Sequence, residues 1–376
     1  MNAKRFLLPL FLTWTVFAGA AQEPHVFPGQ EAWGHPERVT VKGEEFLLDQ
    51  EYTGDYMSRS FNFNGNLDDG TLFAIYLSQW RYGILSGWVI AFLAVAPDGE
   101  VFVYEDKLRV KQTWMAGSRY RLDFAEGSLE GEGGASRIRL KLEDLSCDLS
   151  ISGILPPWKP GDGQAYLPGS RQAFSRLTVT SPWARASGRL QLGGRLMAGD
   201  GQCYADRTLH TYPLRDFSNR TYYFRTFSPV EVPSEQRWML SLQVYETHSV
   251  HGSLRLPVLI LARGQDWVFT TWEFTTEQPD AVDLETCPLP LPLRVNARCA
   301  GYELEGEFVI TRLFHVSDIH QKLPLLMRGL LAAFIRRPVL YRLQGHFRGT
   351  LVGPEGMRED IQLPGQGNYA VFATAQ

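Results

Sequence analysis

The chain has 376 residues, with 37 Lys and Arg against 41 Asp and Glu, for a net charge of −4. So near-neutral a balance excludes the usual basic nucleic-acid-binding chain, and 44% hydrophobic residues exclude a disordered one. At roughly 150 residues per domain the length predicts two domains or one large one. Aromatics make up 12% of the chain beside 35 Gly and 22 Pro, a mix that favours short strands and many turns over helices.

Residues 1–20 read as a secretory leader. Lys4 and Arg5 supply the positive start, Phe6 to Phe17 the apolar run, and Ala18-Gly19-Ala20 a small-residue cleavage site. The run is shorter than the roughly 20 apolar residues a membrane span needs. Cleavage removes two positive charges, takes the net charge to −6, and leaves a chain starting near Ala21 in a periplasmic or extracellular space. There the four cysteines Cys147, Cys203, Cys287 and Cys299 are able to pair, Cys287 with Cys299 first, across the Pro288-Pro290-Pro292 bend. Four reduced, buried thiols are the alternative.

Strand signals follow in order. Asp68-Asp69-Gly70, Pro97-Asp98-Gly99 and His251-Gly252 sit between apolar runs as hairpin turns. Residues 136–151 alternate apolar and polar, with a one-residue slip at Glu143-Asp144 that predicts a bulge. The segments 237–247, 254–262 and 266–276 read as consecutive strands. Strands spaced this regularly indicate a sandwich or barrel. The densest Pro/Gly stretch, 155–163, separates two strand-rich halves, 30–155 and 175–376, each long enough for an eight-stranded barrel. Residues 322–337 have helical composition ended by Pro338, with Arg336 and Arg337 at the end. They fit a helix packed on a sheet or one lying on a membrane surface.

No Gly-rich phosphate loop, GxSxG elbow, HExxH or paired CxxC occurs, and nothing in the sequence calls for a metal or organic cofactor. The histidine pairs His248/His251 and His315/His320 have odd offsets, which on a strand point to opposite faces and make no two-ligand metal site. The most unusual segment is 201–214. Tyr204, Asp206, Thr208 and His210 fall at two-residue spacing, so an extended chain presents Tyr, Asp and His along one wall. Burial there would raise the Asp206 pKa and make it a general acid near neutral pH, able to protonate an alkene beside cation-stabilising aromatic faces. Pairing of Asp206 with Arg207 or Arg225 is the structural alternative. In the first half, Tyr76, Trp80 and Trp88 suit either core packing or a wall touching an apolar ligand.

The order of these segments, 52–105 with its Asp68-Asp69-Gly70 and Ala96-Pro97-Asp98-Gly99, then 199–225, resembles the lipocalin-like superfamily of carotenoid 1,2-hydratase (hydroxyneurosporene synthase). Its relatives include AttH-type secreted proteins, fungal Diels–Alderases and stress-survival lipid-binding proteins. The resemblance implies an all-β chain of two lipocalin-like antiparallel β-barrels with one helix near the C-terminus. It also implies an apolar ligand: an isoprenoid, a carotenoid or a lipid. In the hydratase a Tyr-x-Asp pair takes part in adding water to an isolated double bond; the matching positions are Tyr204 and Asp206, and an upstream tryptophan corresponds to Trp183. His210 joins Tyr204 and Asp206 as the catalytic set, with Trp183, Tyr212, Trp88 and Tyr76 as substrate contacts. The chain departs from the hydratase motif at Thr208 and His210, where the family carries Asn and Gly. Cyclases, isomerases and non-catalytic carriers share the superfamily, so a lipid or pigment carrier stands beside the enzyme.

Overall fold

Burial along each strand shows what covers its two faces. In Ala135–Lys141 and Leu145–Gly153 buried and less buried residues alternate, so one face looks into a barrel and the other toward water. In Arg195–His210 every residue from Gly201 to His210 is buried, so both faces are covered. The same holds through most of Trp238–Thr247 and Arg255–Arg263. These doubly covered strands lie where two barrels press together. The computed structural model describes residues 39–40, 52, 54–116, 119–161, 163–166, 173–212, 218–248, 255–271, 274–277, 282–284, 287–289, 293–318 and 338–372.

The first sheet is antiparallel throughout. Its order is Val101–Leu108, Leu85–Val95, Leu72–Tyr82, Tyr56–Leu67, Arg195–His210, Phe174–Leu192, Leu145–Gly153, Ala135–Lys141, Gly127–Glu132, Arg119–Phe124 and Val110–Ala116. The chain passes from one edge of this sheet to the other through Arg109 alone, which curls it into a nearly closed barrel. Inside lie Phe61, Phe63, Phe73, Ile75, Trp88 and Phe92 with Leu122, Leu129, Ile138 and Leu149. The second sheet runs Asp266–Thr271, Arg255–Arg263, Trp238–Thr247, Ser218–Phe227, Arg358–Phe372, Pro338–Val352, Tyr302–Asp318, Leu293–Cys299 and Phe274–Glu277. It closes in the same way around Phe224, Leu242, Leu261, Phe308 and Phe347. Two lipocalin-like barrels are therefore present, as the sequence and its family resemblance led one to expect.

A third apolar cluster glues them together. Leu177, Val179, Trp183 and Tyr204 of the first sheet meet Phe227, Met239, Leu256, Val258 and Ile260 of the second. Each such buried side chain contributes about 1.5–3 kcal/mol, so this seam holds the barrels in one arrangement.

Several sequence expectations change. The slip at Glu143-Asp144 is the tip of a hairpin, with Ser146 opposite Lys141 and the Leu142 amide donating to the Leu145 carbonyl at 2.7 Å. Two adjacent acidic residues in an apolar alternation mark a reversal here, where a bulge would leave both on a sheet surface. The run 266–276 is split: Asp266–Thr271 pairs with Arg255–Arg263, whereas Phe274–Glu277 pairs with Leu293–Cys299. Phe269 and Phe274 enter the same core at an odd separation, so the alternation changes phase where the partner changes. The boundary also moves. Phe174–Leu192 and Arg195–His210 pair into the first sheet, and the chain enters the second only at Ser218. The Pro/Gly stretch instead carries the short strand Trp158–Lys159 and is followed by Gln164–Tyr166, and both pair onto Phe174–Leu192.

The turns at Asp68-Asp69-Gly70 and Pro97-Asp98-Gly99 form as expected. Gly70 and Gly99 take φ of 89° and 86°, and the Thr71 amide donates to Asp69 Oδ1 at 2.8 Å. The leader 1–20, the His251-Gly252 turn, His320 and the helix expected over 322–337 lie outside the described residues. So does the Cys287 side chain, on which the pairing with Cys299 rests. Cys147 and Cys203 are buried thiols outside any disulfide.

Candidate active site between the two barrels

The period of two in Arg195–His210 sorts its side chains to opposite sides. Cys203 and Ala205 point into the first barrel, as does Arg207, whose guanidinium stands 5.0 Å from the Phe61 ring. Gln202, Tyr204, Asp206, Thr208 and His210 point the other way, into the seam. The expected row of Tyr, Asp and His is thus one wall of the inter-barrel interface.

Asp206 is 5% exposed. Asn62 Nδ2 of the neighbouring strand Tyr56–Leu67 donates to its Oδ1 at 2.6 Å. Arg225 reaches across from Ser218–Phe227 in the second sheet and places Nη2 3.7 Å from Oδ2. Of the two arginines the sequence offered as partners, Arg225 is the one, because Arg207 leaves the strand on the opposite face. Arg225 is 1% exposed and is held by the Leu242 carbonyl at 2.8 Å, the Phe224 carbonyl at 3.1 Å and Gln243 Oε1 at 2.8 Å. Its guanidinium lies 3.8 Å from the Tyr204 ring centre and 4.9 Å from that of Tyr223. Gln243 in turn donates to the Tyr245 hydroxyl at 2.8 Å.

Burial raises the Asp206 carboxyl above the ordinary carboxylate range; the positive charge of Arg225 and the hydrogen bond from Asn62 pull the other way. The Tyr204 phenol is also pushed up by burial. His210 shares a cluster further along the row. Ser175 Oγ bonds His210 Nδ1 at 2.7 Å and the Tyr212 hydroxyl at 2.6 Å. Burial alone lowers the His210 imidazole to about 4, so the ring is neutral at physiological pH.

At the other end of the row, Trp183 Nε1 donates to Gln202 Oε1 at 3.0 Å, and Gln202 Nε2 to the Ser228 carbonyl at 2.7 Å. A cavity of about 350 Å³ opens here between the barrels, walled by Trp183, Gln202, Asp68, Asp200, Arg185 and Arg237. Tyr76 stands on the seam as well, bonded to Asn64 and Tyr223. Trp88 does not. It packs inside the first barrel, its ring stacked 6.4 Å from Phe61 and edge-on to Phe124 at 5.5 Å. Trp80 and Trp88 are both even-numbered, yet the register sets Trp88 opposite Gln79 and so on the face away from Tyr76 and Trp80, which a composition of aromatics does not reveal.

The sequence therefore brings together Tyr204, Asp206, His210, Tyr212, Trp183 and Tyr76, and misplaces Trp88. It leaves out Asn62, Gln243, Tyr245, Arg342 and Asn368. The available signal was alternation: in Tyr222-Tyr223-Phe224-Arg225, Tyr223 and Arg225 share a face that is not the barrel interior. Among the described residues no group of three or more His, Cys, Asp or Glu is placed to hold a metal.

Solved structures resemble this arrangement over nearly the whole chain. CghA in complex with Sch210972 matches with a TM-score of 0.65 at 11% identity, over 92% of this chain and 97% of that one. The fold is shared. An AttH-like protein from Nitrosomonas europaea matches at 0.55 and 13% identity, over 89% and 99%. Kievitone hydratase from Nectria haematococca matches at 0.55 and 12% identity, over 92% and 97%. All have the AttH and carotenoid-hydratase-like lipocalin fold of this chain. No family model and no curated protein sequence matches it.

Proposed function

We propose that the chain is a cofactor-independent enzyme that adds water to, or isomerises, a double bond of an apolar isoprenoid or polyene, with Asp206 as the acid. The observation that carries this is a carboxyl raised by burial and backed by a buried guanidinium 3.7 Å away, on the seam between two barrels. That one solved structure of this fold is a hydratase, and another holds a small molecule, supports it.

In the proposed step the Asp206 O–H proton passes to one alkene carbon. The π electrons form the new C–H bond and leave a carbocation on the other carbon. Water attacks that carbon, and its surplus proton returns to the Asp206 carboxylate. Hydrogen and hydroxyl are added and the acid is regenerated. Loss of a different proton from the cation would isomerise the substrate instead. Arg225 balances the transient carboxylate, which is why its charge must sit close without neutralising the acid beforehand. One face of Tyr204 is occupied by Arg225, so this ring holds the guanidinium in place and the cation is left to Trp183. His210, neutral and tied to Ser175, orients water as a hydrogen-bond partner.

The test uses protein purified from its own source, with any retained molecule identified by native mass spectrometry and offered as substrate. Asp206→Asn should lose turnover by at least about 100-fold while keeping ligand. An unchanged rate eliminates the mechanism.

A lipid or pigment carrier is the second reading. It is favoured by the closeness of the packing, since Asp206 is nearly covered by its own neighbours. We also propose that residues 1–20 direct export, which a mature N-terminus near Ala21 would support. Loading would occur at a membrane surface through 322–337, and Arg336→Glu with Arg337→Glu should then weaken sedimentation with anionic vesicles.

A further inference from the structure

The cavity at the far end of the seam from Asp206 has polar walls that, Trp183 apart, the proposed chemistry does not use. It measures about 350 Å³, enough for a small organic guest. Its floor belongs to the first sheet. Arg185 stands opposite Gln202, and Ser187 opposite Asp200, on Phe174–Leu192 and Arg195–His210, so these four share one face. Asp68 adjoins them, its amide donating to the Asp200 carbonyl at 2.8 Å. The roof belongs to the second barrel: Val230, Ser234 and Arg237 lead into Trp238–Thr247, and Gly264-Gln265 turn the chain after Arg255–Arg263. Gln202 is four residues from Asp206, about 13 Å along an extended strand, so the two sites are separate.

Three features of the lining point to a guest that carries both charges. The first is pairing. Elsewhere on the first barrel exposed arginines meet carboxylates, Arg109 with Glu126 at 2.7 Å and Arg121 with Asp123 at 2.9 Å. Around the cavity two acids and two arginines face one space. Yet the side chains of Asp68, Asp200 and Arg185 make no ion pair or hydrogen bond among the described residues. The second is fixation. Arg237 Nε donates to the Val232 carbonyl at 2.7 Å and Nη2 to the Val230 carbonyl. These bonds hold the guanidinium on the cavity wall and leave Nη1 unused among the described residues. The third is capacity. Gln202 is 3% exposed, and its amide accepts one bond, from Trp183, and gives one, to the Ser228 carbonyl. A primary amide has two N–H groups and two lone pairs, so one of each remains for a guest. Burial and the neighbouring Asp200 raise the Asp68 carboxyl above its ordinary range, against the pull of Arg237. A cation between the two acids would relieve that like charge.

We propose that this cavity seats a zwitterionic head group, a quaternary ammonium joined to a phosphate. The ammonium lies at Asp68 and Asp200. The phosphate lies at Arg185 and Arg237, with the spare Gln202 N–H on one of its oxygens. A neutral polyol would use none of these charges, and a simple cation or anion only half of them. The indole of Trp183 on the wall suits a methylated cation. A free solute and the head of a lipid both present this chemistry. The seat does not depend on the Asp206 chemistry.

Calorimetric titration of the full chain with glycerophosphocholine, and with choline, glycerol 3-phosphate and glycerol as its parts, tests the seat. Glycerophosphocholine should bind at least about tenfold more tightly than choline or glycerol 3-phosphate, the size of one charge-assisted hydrogen bond. Arg185→Gln should weaken it by about tenfold and leave choline unchanged. Asp68→Asn with Asp200→Asn should weaken it by a similar factor and spare glycerol 3-phosphate. All three positions are exposed, so the circular dichroism of these variants should match wild type. No binding, equal binding of glycerophosphocholine and its parts, or an affinity unmoved by these variants would overturn the seat. Phosphatidylcholine vesicles separate the two sources: displacement of bound glycerophosphocholine assigns the seat to a lipid head, and its retention to a free solute. Asp206→Asn should leave the head-group affinity unchanged, so the seat and the acid chemistry stand or fall separately.

Discussion

Lowering the pH tests the burial of His210 directly. Burial alone takes the folded imidazole from 6.5 down to about 4, whereas the unfolded chain takes up a proton near 6.5. The folded value is the lower one. The contribution of the neutral ring is therefore fully present above about pH 6.5 and is lost as the pH falls from there through about 4. A gap of about 2.5 pH units at about 1.4 kcal/mol each makes the full loss about 3.5 kcal/mol, of which about 3 kcal/mol is gone by pH 4. Asp206 works in the opposite sense. Its folded pKa is raised, so its contribution is fully present below its ordinary value of 3.8 and is lost as the pH rises through the folded one. Wild type alone would mix the two. His210→Gln keeps a hydrogen-bonding partner for Ser175 and does not titrate. Urea unfolding of wild type and variant between about pH 7.5 and about 4 then isolates the histidine. Wild type should lose about 3 kcal/mol relative to the variant across this range. A difference constant with pH would refute the burial of a neutral imidazole.

Three further outcomes follow from the packing. Arg225→Met leaves the Phe224 and Leu242 carbonyls and Gln243 without their donor and should cost about 3–5 kcal/mol in urea unfolding; combined with Asp206→Asn the loss should depart from the sum of the two single losses, and strict additivity would disprove the contact between the two residues. Gly65→Ala should destabilise by at least about 2 kcal/mol, because a Cβ there meets the Gln202 carbonyl at 2.3 Å and the Phe73 ring at 2.6 Å; a neutral result would mean that these two strands are further apart. Cys147 and Cys203 are buried with their thiols pushed up by burial, so a thiol reagent should leave both unmodified until the chain unfolds, as peptide mapping would reveal.

The sequence by itself determined the strands and one wall of the site. Alternation in residues 136–151 and the turn residues at Gly70 and Gly99 are local properties, set by side-chain direction and by backbone freedom. The period of two likewise puts Tyr204, Asp206 and His210 on one face, whatever that face meets. Tertiary structure decided the rest. Nothing local shows that Arg195–His210 belongs to the first barrel, since both faces of a strand between two barrels are covered and the alternation that would mark an interior disappears. Nor does it show that Asp206 takes its partners from Asn62, 144 residues away in the chain, and from Arg225 across the seam. Arg342 and Tyr76 are 266 residues apart and meet only because two closed sheets are pressed face to face. Local sequence governs direction along a strand; which charges face one another in the seam depends on register and docking, and these are set by the apolar surfaces that both barrels bury together.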